Sequence, residues 1–172
     1  SKCIHFLPAL FNFFSDEERI NELKSLDLNE FLILIFAPMK NDVQSLIDEG
    51  LMLPLMEEFY TIQGEGYHKG TAAYFIRLGG CDVGCHWCDV KESWDALLHP
   101  PKTVEDLVDK AKGHSEMVVI TGGEPLMYNL VFLTRKLQEA GMKTHIETSG
   151  AHPLSGNWDW ICLSPKKRKL PV

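Results

Sequence analysis

Three cysteines of the 172-residue chain lie within one short segment, at Cys81, Cys85 and Cys88. Three thiolates spaced C-x3-C-x2-C on one loop can hold three corners of a cubane 4Fe–4S cluster. The fourth iron then has no protein ligand, so it can bind a small chelating molecule. Gly84 gives the segment the backbone freedom to wrap around a cluster. The spacing therefore predicts an iron–sulfur centre that does chemistry rather than only carrying electrons.

A structural zinc ion is the alternative for the same cysteines. Such a site would need a fourth Cys or His at matching spacing, and His86 lies inside the segment, where it is badly placed to complete a tetrahedron. Cys3 and Cys162 stand alone in the sequence and are interpreted as ordinary small apolar residues. The pattern favours the cluster over zinc and over three unrelated thiols.

A glycine-rich segment, Thr121-Gly122-Gly123-Glu124-Pro125, follows a predicted buried strand. Its glycines would let backbone groups approach a ligand closely, and the carboxylate of Glu124 suits an ammonium group. Taken alone, the segment is equally compatible with a tight turn. Ser149 likewise has the alternative of a turn hydroxyl. Lys166 follows a Ser-Pro pair and opens a basic run, and such runs are more often solvated tails than sites.

A second polar group lies upstream of the cysteines. Gln63 and Glu65 place an amide and a carboxylate beside flexible glycines, and such groups can contact the donor–acceptor edge of a pterin or purine. Arg77 can bind a carboxylate with two parallel hydrogen bonds. The alternative is a surface turn with a solvated arginine, which fits poorly with the otherwise apolar surroundings of Arg77.

The elements that must position these residues alternate between strands and helices, which predicts an α/β fold with a parallel sheet. Strands are predicted over Ala72–Leu78, Met117–Thr121, Lys143–Thr148 and Trp160–Ser164, and helices over Thr103–Lys112 and Asn129–Ala140. In such folds, reactive residues gather in the loops after the carboxyl ends of the strands. Four polar or glycine-rich segments, each following one predicted strand, are therefore expected to converge on one face: the cysteine loop, Gly122–Pro125, Glu147–Gly150 and Ser164–Lys166.

The first fifty residues carry no recognisable chemistry. Helices are predicted over Ser15–Leu28 and Asn41–Glu49, the second ended by Gly50, and Phe31–Met39 is interpreted as a buried strand or short core helix. We expect residues 1–50 to be a mostly helical extension and residues 51–172 to form the core domain. Met39 could even be the natural start of the protein.

Composition limits the class of protein. The net charge of -7 argues against a broad nucleic-acid surface, which needs a basic excess. No segment reaches the roughly 18 apolar residues that span a bilayer. The apolar stretch near the N-terminus is followed by acidic residues rather than by a signal-peptide cleavage site. A cytoplasmic enzyme with neither a nucleic-acid nor a membrane partner is predicted.

Taken in order, these motifs closely resemble the 7-carboxy-7-deazaguanine synthase family of radical S-adenosylmethionine (SAM) enzymes, over about residues 53–169. The resemblance implies a partial (β/α) barrel. It also implies a lyase that converts 6-carboxy-5,6,7,8-tetrahydropterin to 7-carboxy-7-deazaguanine on the route to queuosine. In that family, SAM bound at the open iron is cleaved to a 5′-deoxyadenosyl radical, which takes the hydrogen at C6 of the pterin, and SAM is regenerated.

The resemblance assigns residues to three tasks, and no catalytic side chain beyond the cofactors. Cys81, Cys85 and Cys88 would hold the cluster. The SAM contacts would be Trp87, Cys88, Asp89, Gly123, Glu124, Ser149, Ser164, Pro165 and Lys166. The pterin contacts would be Ile62, Gln63, Gly64, Glu65, Arg77 and Thr121. The family further implies a flavodoxin-like or other electron donor and a homodimer.

Two features depart from the family. Members often carry Thr or Ser after the Cys-Asp pair, where its hydroxyl helps to bind magnesium, but Val90 stands there in this sequence. Magnesium would need other ligands here, or is dispensable. The chain also ends early, because four strands are predicted where the family has about six. A fragment, or an edge covered by self-association, would account for this.

Two alternative functions follow from the same motifs. A glycyl-radical activase would share the cluster and the Gly-Gly-Glu-Pro segment, but it would leave the Gln63–Gly66 segment and Arg77 unexplained. An inactive, truncated homologue would bind only cluster and SAM.

Overall fold

The computed structural model describes residues 42–166. In this range the chain forms six strands, three helices and three short 3-10 turns. The strands are β1 (Met52–Ile62), β2 (Ala72–Leu78), β3 (Pro101–Thr103), β4 (Met117–Gly122), β5 (Lys143–Thr148) and β6 (Trp160–Leu163). The helices are α1 (42–48), α2 (Val104–Ala111) and α3 (Val131–Glu139), and the turns are Lys91–Ser93, Ala96–Leu98 and Pro125–Met127.

All six strands form one open sheet in the order β3-β1-β2-β4-β5-β6. The strands β2, β4, β5 and β6 are parallel, with α2 in the connection from β2 to β4 and α3 in the connection from β4 to β5. β1 is antiparallel to β2, and the short β3 is antiparallel to β1. The predicted α/β class is confirmed, and the sheet is mixed rather than purely parallel.

The four predicted strands are confirmed to within one residue at each end, but the prediction of only four strands was wrong. The sequence analysis missed β1, which contains Pro54 and the acidic pair Glu57-Glu58 and therefore lacks a clean apolar pattern. Pro54 sits near the start of the strand, where a missing N–H is tolerated. Ala72–Leu78 is consequently the second strand of the sheet, not the first.

Local sequence explains both predicted helices of the core. Thr103 is the N-cap of α2, and its hydroxyl accepts a hydrogen bond from the Asp106 N–H at 3.2 Å, as predicted. The buried residues of α2 recur with helical spacing and face the sheet; they are Val104, Leu107, Val108 and Ala111. After α3, Gly141 has a φ of +78°, which allows the chain to leave the helix.

The sheet has two different faces. One packs against α2 and α3 and forms the larger core, with Ile76, Ile120 and Ile146 fully buried at its centre. The other carries a smaller apolar cluster built around Phe75 and Val119. Because side chains alternate along a strand, this second face also carries Arg77, Thr121 and Glu147 near the carboxyl ends of β2, β4 and β5.

The predicted helix over Asn41–Glu49 is confirmed for residues 42–48, and Gly50 ends it with a φ of +73°. The predictions for Ser15–Leu28 and Phe31–Met39, and most of the 1–50 extension, lie outside the described residues. Between residues 42 and 166, the chain contains no helix long and apolar enough to cross a membrane.

Candidate functional site

A cavity of about 370 Å³ lies at the carboxyl ends of the parallel strands. Its walls come from the segments that follow β2, β4, β5 and β6, so the structure brings together the four segments that were expected to converge. From the second face of the sheet, Arg77, Thr121 and Glu147 add polar groups to the wall. The cavity therefore has a cysteine side and a sheet side.

The cysteine side is the loop that follows β2. Cys81, Cys85 and Cys88 all line the cavity, are half-buried and form no disulfide. The loop is tied to the following segment where the Cys81 N–H donates to the Trp94 carbonyl at 3.1 Å. Gly84 has a φ of +66°, a conformation that residues with a side chain rarely adopt.

The surroundings of Cys81 fit an iron–sulfur ligand. Burial raises the pKa of its thiol, and the carboxylates of Glu124 and Asp82 add to the rise, while the backbone N–H groups of Val83 and Gly84 donate toward the sulfur and lower the pKa. Hydrogen bonds to sulfur of this kind tune the potentials of iron–sulfur clusters. Three cavity-facing thiols and these donors form a suitable donor set for a cluster.

The glycine-rich segment after β4 crosses the cysteine loop in close contact. The Glu124 N–H donates to the Gly80 carbonyl at 2.9 Å, and the Gly123 N–H donates to the Leu78 carbonyl at 2.9 Å. A Cβ on Gly123 would lie 2.1 Å from the Gly80 oxygen and 3.0 Å from the Cβ of Cys81. Only glycine fits at this crossing, which holds the two loops together.

Glu124 lines the cavity and also makes contacts within the protein that the sequence did not predict. The residue is only 1% exposed, and its carboxylate is hydrogen-bonded to its neighbours. It accepts hydrogen bonds from the Leu126 N–H at 3.1 Å, from the Thr148 hydroxyl at 2.5 Å, and from both the N–H and the hydroxyl of Ser149. Glu124 thus locks the loop after β4 to the end of β5.

The remaining predicted SAM residues divide into two groups. Trp87, Asp89, Ser164 and Lys166 line the cavity, and the Lys166 ammonium donates to the Ser164 hydroxyl at 2.7 Å. Pro165 is exposed and lies outside the cavity wall.

The predicted pterin residues also divide. Glu65, Arg77 and Thr121 line the cavity. Gln63 is buried behind that wall, while Ile62 and Gly64 are exposed and do not line it.

Glu147 is the residue that sequence reasoning missed. Its carboxylate accepts a hydrogen bond from the Gln63 amide at 2.8 Å and another from the Thr121 hydroxyl at 2.8 Å. It therefore joins two predicted pterin residues that are far apart in the sequence. Its position at the end of β5, just before Ser149, was the available signal, but no local pattern indicated its partners.

Cys162 lies close to this group. Burial raises the pKa of its thiol, and the carboxylates of Glu147 and Glu65 raise it further. A Cβ on Gly66 would be 3.3 Å from its sulfur. The interpretation of Cys162 as a small packing residue agrees with this half-buried position.

Magnesium and zinc have less support than the cluster. Val90 lines the cavity, and its side chain offers no oxygen. Within the described range, no three His, Cys, Asp or Glu side chains gather closely enough to hold a single metal ion. A cubane cluster is larger than one ion and holds its cysteine ligands farther apart.

A family model of the radical SAM superfamily matches residues 75–162, just over half of the chain. The chain belongs to the radical SAM superfamily. The matched region contains the cysteine loop, the glycine-rich segment and the end of β5. Membership in the radical SAM superfamily implies a 4Fe–4S cluster and SAM as cofactors, and the cavity-facing thiols described above are suited to hold that cluster.

Curated radical SAM relatives support the closer resemblance predicted from the sequence. The chain is 61% identical over 134 residues to a 7-carboxy-7-deazaguanine synthase from Flavobacterium psychrophilum, covering 78% of this chain and 64% of the relative. It is 55% identical to the enzyme of that name from Synechocystis sp., covering 69% of this chain and 57% of the relative. For the enzyme of that name from Escherichia coli strain K12, identity is 37% and coverage 67% and 62%.

A solved structure shows the same similarity. The crystal structure of QueE from Escherichia coli matches with a TM-score of 0.64 and 35% identity, over 73% of this chain and 64% of that chain. The predicted radical SAM partial barrel is confirmed. The chain spans between 57% and 64% of the length of these relatives.

Proposed function

We propose that the protein is a 7-carboxy-7-deazaguanine synthase, a radical SAM lyase that converts 6-carboxy-5,6,7,8-tetrahydropterin to 7-carboxy-7-deazaguanine. The observation that carries the proposal is the two-sided cavity. Its cysteine side suits a cluster with an open iron, and its sheet side presents the guanidinium of Arg77 beside the hydroxyl of Thr121 and the carboxylate of Glu147. These groups match an anionic, hydrogen-bonding heterocycle.

Cluster and SAM, when bound, would supply the radical chemistry that abstracts a hydrogen atom from the pterin. Cys81, Cys85 and Cys88 would be the cluster ligands. The protein's own task is to place the pterin against this radical source and to keep water away from it.

The SAM-binding groups would come from the loops around the cluster. Gly123 would leave the backbone of the glycine-rich segment accessible to the methionine end of SAM. The carboxylate of Glu124 holds that backbone in place through its hydrogen bond from the Ser149 N–H. Ser149 follows at the end of β5. Trp87, Asp89, Ser164 and Lys166 complete the wall, and Pro165 would shape the last segment without touching the cavity.

The pterin would lie against the sheet side. Arg77 would bind its carboxylate with parallel hydrogen bonds, and Glu147 would accept hydrogen bonds from ring N–H groups. Glu65 and Thr121 line the same wall. Gln63 would act through Glu147, while Ile62 and Gly64 would act through their backbone as the pterin enters.

Several parts of the proposal concern the surroundings of the site. The protein would work in the cytoplasm, take electrons from a flavodoxin-like or other donor, and form a homodimer. Val90 cannot supply the hydroxyl that is frequent at this position of the family, so a magnesium ion would need other ligands here, or is dispensable.

The test begins with the full chain, purified without oxygen and reconstituted with iron and sulfide. We expect a reduced protein with a 4Fe–4S electron paramagnetic resonance signal that changes when SAM is added. Such protein should then release 7-carboxy-7-deazaguanine from 6-carboxytetrahydropterin, as measured by chromatography and mass spectrometry. A SAM-responsive cluster without any product from this pterin would contradict the proposal. Stoichiometric zinc in place of iron would contradict the radical chemistry altogether.

A further inference from the structure

Arg77 has a charged neighbour that no part of the proposed mechanism uses. Its Nε lies 2.9 Å from a carboxylate oxygen of Glu57 on the adjacent strand β1. The side chain of Arg77 is 24% exposed and that of Glu57 is 49% exposed. The N–H of Arg77 Nε does not point along the line to this oxygen, so charge attraction rather than an aligned hydrogen bond holds the pair.

A β-bulge creates this pair. Leu55 of β1 is opposite Leu78 of β2, but the next matched pair is Glu57 with Arg77, so β1 uses one residue more than β2 in this step. In a regular antiparallel ladder, Met56 would be opposite Arg77. The extra residue brings a carboxylate there instead, and bulges beside active sites commonly redirect a side chain in this way.

The neighbours of Arg77 on the other side form hydrogen bonds with one another. Thr121 is the cross-strand neighbour of Arg77 on β4, and its hydroxyl donates to Glu147. Glu147 accepts a second hydrogen bond from Gln63. Among residues 42–166, the carboxylate that forms an ion pair with Arg77 is that of Glu57.

We infer that Glu57 is a positioning residue that directs the Arg77 guanidinium toward the carboxylate of the bound substrate. Glu57 contacts the Nε edge, which leaves the two terminal amino groups of the fork for a ligand. Because Glu57 is half-exposed, water continues to solvate it when a second carboxylate binds to the same guanidinium. The inference rests on the proposed function, since it concerns a substrate that carries a carboxylate.

The experiment compares two ligands in the full chain loaded with cluster and SAM: 6-carboxytetrahydropterin and tetrahydropterin without the carboxylate. Dissociation constants would be measured for the wild type, Glu57→Ala, Glu57→Gln, Arg77→Ala and the double variant Glu57→Ala/Arg77→Ala. Glu58→Gln is the matched control, because it removes the same charge at the next residue of the strand. The carboxylate of Glu58 is paired with Lys110.

We expect Glu57→Ala to weaken binding of the carboxylated pterin about fivefold, as for the loss of a half-exposed ion pair. The dissociation constant of tetrahydropterin without the carboxylate should stay unchanged. Glu57→Gln should lose less affinity for the carboxylated pterin, because glutamine keeps the shape of the glutamate side chain. Arg77→Ala should abolish the preference for the carboxylated ligand, and Glu57→Ala should add nothing in that background.

Three results would overturn the inference while leaving the proposed function intact. Glu57→Ala could bind the carboxylated pterin as the wild type does. It could bind more tightly, which would make Glu57 a competing counter-ion. It could weaken the binding of both pterins equally, as expected if Glu57 had a purely structural role. A wild type that binds cluster and SAM but shows no preference for the carboxylated pterin would instead contradict the proposed function, and the inference with it.

Discussion

The two sides of the cavity are held in different ways. On the cysteine side, Glu124 is 1% exposed and accepts hydrogen bonds from backbone and side-chain donors, and the glycine-rich segment crosses the cysteine loop without space for a Cβ. On the sheet side, Arg77 and its partner Glu57 remain partly exposed. Breaking a hydrogen bond to a buried group leaves that group without a partner, which costs more free energy than separating a partly exposed ion pair. The cofactor side should therefore be rigid and the substrate side adjustable.

The largest effect is expected at the cluster ligands. Cys81→Ser should abolish the 4Fe–4S cluster, because a hydroxyl is a poor substitute for a thiolate on iron. Iron and sulfide analysis, together with the visible absorbance of the reconstituted protein, would measure the loss. Cys162→Ser is the control and should keep the cluster, since Cys162 lies on the sheet side near Gly66. Equal iron loss in both variants would remove the distinction between the two sides.

Next in size is the contrast between two glutamates that undergo the same substitution. Glu124→Gln should lower the free energy of unfolding by about 2–3 kcal/mol, because an amide cannot accept all the hydrogen bonds that the buried carboxylate receives. Glu147→Gln should lose about 1 kcal/mol, since Glu147 is half-buried and its two described donors are side chains. Chemical denaturation of the two variants would compare them. A larger loss for Glu147→Gln would reverse our ranking of the two sides.

A smaller effect is expected at Thr121. Thr121→Val keeps the shape of the side chain but removes the hydroxyl that donates to Glu147. We expect about 1 kcal/mol weaker binding of 6-carboxytetrahydropterin, with the spectroscopic response to SAM unchanged. Calorimetric titration would measure the affinity for the pterin, and electron paramagnetic resonance would measure the response to SAM. An altered SAM response would indicate that the two sides are not separable.

The difference between the two sides also explains what the sequence could predict. The cysteine loop and the strands after it follow from local patterns: Cys81, Cys85 and Cys88 are close in sequence, and Met117–Thr121 is a short apolar run between turns. The α2 boundary follows from Thr103, whose capping partner is three residues away. Such features need only neighbouring residues, and the predicted strand and the helix start are confirmed.

The sheet side depends on contacts between distant residues. β1 was missed because its acidic pair and Pro54 obscure the strand pattern, and without β1 neither the bulge nor the pairing of Glu57 with Arg77 can be predicted. Glu147 was missed because its partner Gln63 is 84 positions away. The hydrogen bonds that Glu124 accepts from Thr148 and Ser149 could not be predicted either, since these residues are 24 and 25 positions away in the sequence.

In the proposed function, the crossing at Gly123 would link the binding of the two cofactors thermodynamically. Their proposed sites border the same pair of loops, so a cofactor that orders one loop would also lower the entropy still to be lost by the other. Each cofactor should therefore raise the affinity of the protein for the other. SAM should accordingly lower the amount of iron that a chelator removes at equilibrium. The close packing of two glycine-containing loops would thus let a small cofactor protect an oxygen-sensitive one.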